Sequence, residues 1–162
     1  MKLKVAVLAL LGSTVAGAQT PVQSASAARP HAIVATPDVI KWGPAPASLP
    51  AGAQLAVLEG DPMQSGEFTM RLAMPDGYRI PPHFHPVVEH VTVVEGTFKV
   101  GMGEVFDAAK ATALPPGTFA ALAPGVRHFA FADGRTVIQL HGTGPWRLTY
   151  VNPADDPRNK SR

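Results

Sequence analysis

A chain of 162 residues is long enough to bury one hydrophobic core and short for two domains. It contains no cysteine, so disulfides and thiolate metal ligands are excluded. The formal charge is +2, but the fourteen basic residues less Lys2 and Lys4 leave twelve, against twelve acidic residues. We therefore expect no basic face and no nucleic-acid partner.

The first eighteen residues have the composition of a secretory signal peptide. Lys2 and Lys4 precede an apolar run at residues 5–11, and small residues follow at 16–18. The apolar run is well short of the ~20 residues that a membrane span needs, so an uncleaved anchor is the less favoured alternative. We expect cleavage near Ala18, export to the periplasm or the medium, and no stable membrane insertion.

The rest of the chain divides into three parts by composition. Residues 19–37 are rich in Ala, Ser, Gln and Pro, which predicts a flexible N-terminal segment. Residues 38–152 are predicted to form one folded domain, and residues 153–162 a C-terminal tail. Inside the domain, the Pro- and Ala-rich residues 42–53 predict an extended connection.

From residue 54 onward, short apolar or alternating runs are separated by Gly, Pro and Asp turns, which is the pattern of an all-β sandwich or barrel with few or no helices. The clean alternation in EFTMRLAM predicts a half-buried strand. Glu95-Gly96 predicts a tight hairpin, and GEVFDAAKATAL could hold one helical turn. The predicted strands are QLAVLE, EFTMRLAM, EHVTVVE, TFKVGM, TFAALA, RHFAFA, TVIQLH and WRLTYV.

The stretch PPHFHPVVEH, residues 81–90, concentrates potential metal ligands. His83 and His85 are two residues apart, so on an extended segment both imidazoles project from the same face. Glu89 can lie beside them if Pro86 begins a turn into the next strand. These three side chains are candidate ligands of one metal ion.

Alternation in EHVTVVEG places Val91 and Val93 on the same face as Glu89. His90 then points to the other face, away from the metal. We therefore favour an ordinary histidine at a sheet surface or subunit contact as the interpretation of His90.

His128, in APGVRHFAFA, is the predicted fourth ligand. It begins a strand directly after a Pro-Gly turn, and the alanines at 130 and 132 share its face, which leaves room for a cavity. Aromatic residues alternate with the ligands and are predicted to face away from the cavity, either packing a second sheet or forming an exposed patch. These residues are Phe84, Phe129 and Phe131.

These residues resemble the two sequence motifs of the cupin superfamily. The first motif, G-x5-H-x-H-x3-E-x6-G, is matched without a gap by Gly77, His83, His85, Glu89 and Gly96. The second, G-x5-P-x-G-x2-H-x3-N, is matched by Gly117, Gly125 and His128, while Ala123 and Ala132 replace the family's Pro and Asn. The resemblance extends from about residue 54 to residue 150 and is to small exported single-domain cupins.

The resemblance implies a double-stranded β-helix, the jelly-roll cupin barrel. It also implies one divalent transition metal held by His83, His85, Glu89 and His128. This ligand set suits Fe, Mn, Zn, Ni or Cu and does not choose between them. Since cupins are often dimeric, the resemblance implies a homodimer.

The wall of the predicted cavity is mainly apolar, with Val91 and Val93 expected to line it. Gln139, His141 and Tyr150 could also line it, although a sheet-surface or backbone-bonded position fits each of them equally well. Four protein ligands leave two positions open on an octahedral metal, which favours an oxidoreductase of dioxygenase type acting on a small organic molecule. The lack of a clear proton-transfer residue other than Glu89 leaves a second hypothesis, a non-enzymatic exported cupin that binds or senses a small ligand or the metal.

Overall fold

The structure is a computed structural model that describes residues 32–160. The predicted signal peptide, residues 1–18, lies outside the described residues, and so does the predicted flexible segment as far as residue 31. The described part of that segment, residues 32–37, forms no strand or helix. Within the described range, no helix has both the length and the apolar character needed to cross a membrane.

Strands account for most of the regular structure in the described residues. In chain order they are β1 (Gly43–Pro44), β2 (Gln54–Glu59), β3 (Gly66–Met74), β4 (Arg79–Phe84), β5 (Glu89–Met102), β6 (Thr112–Leu114), β7 (Phe119–Leu122), β8 (His128–Gly144) and β9 (Thr149–Tyr150). Short 3-10 helices occupy Ala108–Lys110, Pro153–Asp155 and Pro157–Asn159. The all-β prediction is therefore confirmed, and the helical turn expected in GEVFDAAKATAL is the first of these 3-10 helices.

The two longest strands, β5 and β8, form the centre of one curled antiparallel sheet. They pair with each other from His90↔His141 at one end to Met102↔His128 at the other. The second half of β8 also pairs with β3, its first half pairs with β4, and β5 pairs with β6 and β7 on its other side. Because each long strand changes neighbours along its length, the sheet wraps around a single interior, as the predicted cupin barrel requires.

Both long strands bend where they run past each other. Each continues through a glycine at which the sequence predicts a break between strands, so two predictions are wrong. Gly96 has φ +75, and a Cβ at this position would collide with the carbonyl oxygen of Arg135. The β5–β8 register shifts on either side of Glu95, but β5 continues through it, so the predicted hairpin at Glu95-Gly96 is wrong. Likewise RHFAFA and TVIQLH are not two strands, since β8 continues through Gly134 at φ +73.

The barrel interior is filled by side chains from alternate positions of the strands. The alternation predicted for β3 is observed, because Phe68, Met70, Leu72 and Met74 are each at most 2% exposed. Burying a side chain of this size contributes roughly 1.5–3 kcal/mol relative to leaving it in water. These residues join Val91 and Val93 of β5 and Ile138 and Leu140 of β8 in one hydrophobic core.

β4 is short and irregular, because it contains Pro81 and Pro82, which cannot donate to a strand ladder. Its register against β8 shifts between Ile80 and His83. After the shift, His83 lies directly opposite His128 on one side and opposite Tyr150 of β9 on the other. The irregular strand thus brings two predicted metal ligands into cross-strand contact.

Candidate metal centre

His83 and His128 form a cross-strand pair with imidazole centroids 4.2 Å apart. His85 lies one residue past the end of β4 and adds a third ring, 5.1 Å from His83 and 5.5 Å from His128. One ring nitrogen from each histidine lies within 4.8 Å of the other two. The three imidazoles are therefore close enough to share one cation.

Glu89, the first residue of β5, completes the cluster. Its Oε1 is 3.3 Å from Nε2 of His85, and its Oε2 is 3.4 Å from Nε2 of His128. All four side chains are buried, with Glu89 the most exposed at 7%. A buried carboxylate beside imidazole nitrogens needs a proton or a cation between them to offset its charge.

A backbone carbonyl fixes the tautomer of each histidine. Nδ1 of His83 lies 2.7 Å from the carbonyl oxygen of Pro81, and Nδ1 of His128 lies 3.0 Å from that of Val126. Nδ1 of His85 lies 2.7 Å from the carbonyl oxygen of Arg147. Since a carbonyl can only accept, each Nδ1 carries the proton and donates it. The Nε2 lone pairs are then left free for a metal, with the outer hydrogen bonds orienting the rings.

Burial keeps the imidazoles of His83 and His85 neutral near pH 7. Desolvation, reinforced by the neighbouring His128 and His85, lowers the pKa of His83 to about 3. Burial also lowers the pKa of His85, although Glu89 opposes that shift. The pKa of Glu89 would be raised by burial alone, but its contact with His128 and the surrounding imidazoles outweigh burial and lower it to about 2. Neutral imidazoles and an ionised carboxylate are the protonation states that bind metal.

The residues present fit a divalent transition metal. Nε2 of His85 is buried and has no hydrogen-bond partner, so a polar atom is left unsatisfied unless a cation occupies the cluster. Three nitrogens and a carboxylate oxygen suit the borderline metals rather than Mg or Ca. The prediction of a metal site from His83, His85, Glu89 and His128 thus has the expected geometry, and metal binding itself stays a prediction.

A cavity of about 20 Å³ adjoins the cluster on the inner side of the barrel. It is lined by three of the four predicted ligands and by apolar side chains of β3, β5 and β8, among them Leu72, Phe98, Ile138 and Leu140. This volume accommodates about one water molecule. The metal would therefore face an apolar and nearly filled interior.

The two valines predicted as cavity residues point inward. Val91 lines the cavity, and Val93, 1% exposed, lies in the same core without being among the cavity-lining residues. Tyr150 is buried with its ring centroid 6.3 Å from that of His83, and its hydroxyl donates to the carbonyl oxygen of Ser48 at 2.8 Å. Burial raises the pKa of Tyr150, so this hydroxyl stays protonated.

Gln139 and His141 do not line the cavity. Both lie on the outer face of β8, where Gln139 accepts a hydrogen bond from Arg71 and His141 stacks on His90 with centroids 4.9 Å apart. The reason is that β8 is one continuous strand. The β8 residues that line the cavity are all even-numbered (His128, Ala130, Ile138 and Leu140), so the odd-numbered Gln139 and His141 face outward. The parity carries through Gly134 only because β8 continues there, which the sequence alone does not show.

The remaining orientation predictions agree with the structure. His90 lies on the outer face, where its ring stacks on those of His141 and Phe119, which are themselves 6.4 Å apart. The aromatic residues Phe129 and Phe131 also lie outside the core cluster, where both contact Phe106. The third aromatic residue, Phe84, has the guanidinium of Arg127 5.5 Å from its ring. Phe129 is fully buried where it packs against Phe106, so it forms no exposed patch.

The two departures from the second motif leave the site geometry intact. The turn at Ala123 is closed by a hydrogen bond from the Val126 amide to the Ala123 carbonyl, and the Gly125 amide donates to the carbonyl of His85. Ala132 is held by backbone hydrogen bonds to Gly77 and Tyr78. Backbone contacts therefore position the His128 loop without the family's Pro and Asn side chains.

The tryptophan beside the site was not predicted. Trp146 stacks on His85 with ring centroids 5.2 Å apart and planes inclined by 24°. It follows the long strand β8 in a segment without sequence periodicity, so no pattern linked it to His85. Its only sequence cue is its place at the start of WRLTYV, a predicted strand of which only the two-residue β9 forms.

Comparison with known proteins identifies the family. The model of the ChrR cupin-like domain family matches residues 30–147, which is more than half of the chain. The chain therefore belongs to this family of the cupin superfamily. Among curated protein sequences, none matches this chain.

Several solved structures share the fold at low sequence identity. A candidate acetylacetone dioxygenase from Methylibium petroleiphilum is 20% identical with a TM-score of 0.59, and the match covers 80% of this chain and 88% of that one. The polyketide cyclase RemF from Streptomyces resistomycificus is 16% identical with a TM-score of 0.60, over 78% and 90% of the two chains. KdgF from Halomonas is 22% identical with a TM-score of 0.51, over 69% and 94%. These similarities establish the cupin barrel fold.

Proposed function

We propose that this protein is a metal-dependent oxidoreductase of dioxygenase type that acts on a small, largely apolar organic molecule. The observation that carries the proposal is the convergence of three buried imidazoles and Glu89 beside an apolar cavity. The fold similarity to a candidate acetylacetone dioxygenase is compatible with it. When bound, a divalent transition metal would supply open coordination positions and Lewis acidity.

The protein's own groups would prepare the site in three ways. The carbonyls of Pro81, Val126 and Arg147 hold the imidazoles in the metal-binding tautomer. The Glu89 carboxylate offsets one positive charge of the metal in a buried environment. The apolar walls exclude water, which strengthens the electrostatic interactions inside and limits side reactions.

Metal analysis and oxygen uptake test this proposal together. Protein purified without chelators is expected to contain close to one equivalent of a transition metal. After anaerobic Fe(II) loading, at least one compound in a panel of small aromatic and diketone substrates should consume oxygen faster than free iron does. The activity should vanish in His128→Ala and persist in His141→Ala, which removes an imidazole on the outer face. Absence of turnover above free iron with every substrate and metal contradicts the enzymatic role.

A second candidate function is a non-enzymatic cupin that binds or senses a small ligand or the metal. One observation favours this function. Among the described residues, the only titratable side chains that line the cavity are His83, Glu89 and His128, which are proposed metal ligands, so no further group is in place for proton transfer. The Tyr150 hydroxyl is also engaged by a backbone carbonyl. A ligand that binds only the metal-loaded protein and is recovered chemically unchanged would support this function over the first.

We also propose that the protein is exported and that it forms a homodimer. The signal-like residues 1–18 support export, and the exposed apolar side chains Phe119 (58%) and Val94 (41%) on the outer sheet face are available to a second copy. Mass spectrometry of the chain recovered from the periplasm or medium should show a mature N-terminus near residue 19. Light scattering at micromolar concentration should give a dimer, and a monomer would contradict self-association.

A further inference from the structure

A groove lies on the edge of the sheet formed by β6 and β7, separate from the cavity at the histidine cluster. We call it the β6–β7 groove, and its volume is about 370 Å³. This is within the range of pockets that bind small organic molecules, whereas the cavity beside the histidines has room for about one water molecule. An organic substrate therefore fits the groove and does not fit the cavity.

The groove and the cavity share two walls, the side chains of Val100 and Leu122. Leu122 ends β7 directly opposite Glu89 on β5. The side chain of Leu122 thus stands between the groove and a carboxylate of the histidine cluster. A leucine side chain changes rotamer without breaking a hydrogen bond, so this wall can open without disrupting the strand ladder.

The lining of the groove indicates the chemistry of its occupant. Its apolar part includes Met102, Leu114 and Ala120, and Met102 is 60% exposed, so an apolar ligand can cover it. Lys110 is the one charged residue among the described residues that line the groove. Its ammonium is 3.4 Å from the Asp107 carboxylate in a highly exposed pair, which a ligand anion can replace at little cost.

We propose that the β6–β7 groove is the substrate-binding site of the metal centre and that it takes a mainly apolar molecule bearing one anionic group. The apolar body covers Met102 and Leu114, and the anionic group pairs with Lys110. Leu122 is the gate through which the bound molecule reaches the histidine cluster. The identification of the occupant as a substrate rests on the proposed function, whereas the binding site and the gate are tested without metal.

Two fluorescent probes test the site on the full, metal-free chain. One is 8-anilinonaphthalene-1-sulfonate, which is flat, apolar and carries one anionic group, and the other is the neutral N-phenyl-1-naphthylamine. Met102→Glu should weaken both probes at least about tenfold, because it places a charge against an apolar ligand. Val105→Glu is the matched control, since Val105 is 75% exposed and does not line the groove. An equal effect of the two substitutions would overturn the site.

The same probes test the anionic group. Lys110→Gln should weaken the sulfonate probe about threefold and leave the neutral probe unchanged, because only the sulfonate pairs with the ammonium. If Lys110→Gln affects both probes alike, or neither, the assignment of an anionic ligand is wrong.

Nuclear Overhauser contacts test the gate. In the unaltered protein the sulfonate probe should contact the methyl groups of Leu114 and Leu122, and absence of both contacts overturns the proposal. In Leu122→Ala the probe should also contact the imidazole protons of His128. Leu122→Val shortens the same side chain and serves as the second variant if Leu122→Ala does not fold. A probe that binds either folded variant without reaching the histidines would exclude the gate. Because no metal is present, this failure is distinct from a failure to find oxygen uptake.

Discussion

The indole of Trp146 stacks on the imidazole of His85, with ring centroids 5.2 Å apart. The next residue, Arg147, accepts a hydrogen bond from Nδ1 of His85 through its carbonyl oxygen, although the two residues are 62 positions apart. One short segment after β8 therefore holds both the ring plane and the tautomer of a proposed metal ligand.

Trp146→Leu should lower the affinity of the site for a divalent transition metal by roughly 10–100-fold, the usual effect of losing an outer contact that orients a ligand. The reason is that His85 retains its hydrogen bond but loses the ring that restricts its orientation. Competition with a chromophoric chelator measures the affinity. The control is Trp42→Leu, at a half-buried tryptophan for which the described residues show no stacking contact with a metal-ligating histidine. This substitution should leave the metal affinity unchanged. Equal affinities in the two variants would refute the role of Trp146.

His83→Ala and His128→Ala should each lose most bound metal, to roughly a tenth of an equivalent, while the barrel stays folded. Folding persists because the strands bury their own apolar faces, including Met70 and Leu140. Elemental analysis gives the metal content, and far-ultraviolet circular dichroism reports the fold. His141→Ala is the control, with an imidazole removed from the outer face. Full metal occupancy in either ligand variant would show that the ligand assignment is wrong.

The metal-free protein should lose stability as the pH falls below about 6.5. The pKa of His83 is lowered from its ordinary value of 6.5 to about 3 in the folded state, chiefly by burial. Between these two values the unfolded chain binds a proton that the folded chain does not, so the free energy of unfolding decreases as the pH falls. At pH 5 the expected loss from His83 alone is ~2 kcal/mol relative to pH 7.5, at ~1.4 kcal/mol for each pH unit below 6.5.

Urea denaturation at several pH values, in the presence of a chelator, measures this dependence. The lowered pKa values of His85 and Glu89 act in the same direction, with Glu89 contributing below its ordinary value of 4.5. His83→Asn should therefore flatten the curve between pH 6.5 and 5, whereas His141→Asn leaves the buried cluster intact. A curve for His83→Asn that is as steep as that of the unaltered protein would contradict the assignment.

Gly96→Ala should destabilise the protein by roughly 3 kcal/mol or more. The added Cβ would meet the carbonyl oxygen of Arg135 and the side chain of Thr136, and φ is +75, a region that non-glycine residues rarely adopt. Gly134→Ala is the matched control, because its φ is +73 but no heavy atom lies within 4 Å of the added Cβ. Gly134→Ala should lower the free energy of unfolding by only ~1–2 kcal/mol, because only the backbone conformation becomes unfavourable. Equal losses in urea denaturation would show that the close approach at Gly96 is unimportant.

Local patterns predicted the parts of this protein that depend on neighbouring residues. The two-residue spacing of His83 and His85, and the alternation after Glu89, correctly indicated which side chains share a face. The alternation in EFTMRLAM likewise predicted which residues of β3 are buried. These features follow from the period of an extended chain, which holds whatever the rest of the fold does.

Gly96 and Gly134 misled the prediction because each resembles a turn when it is considered alone. Whether a glycine with positive φ reverses the chain or only bends it depends on the strand packed against it, and here β5 and β8 bend together. The continuation of β8 through Gly134 decided that Gln139 and His141 face outward. A turn would have reset the alternation at this point, so no local pattern could distinguish the two outcomes.

The amino-acid sequence by itself determined the candidate ligands, the all-β class and the inward or outward face within each short strand. Tertiary structure alone decided that His83 lies opposite His128, that Trp146 stacks on His85, and that Leu122 lies opposite Glu89. The physical reason is the range of the interactions. Side-chain alternation is a property of adjacent residues, whereas strand register and ring stacking join residues that are far apart in the chain and meet only when the whole sheet closes around its core.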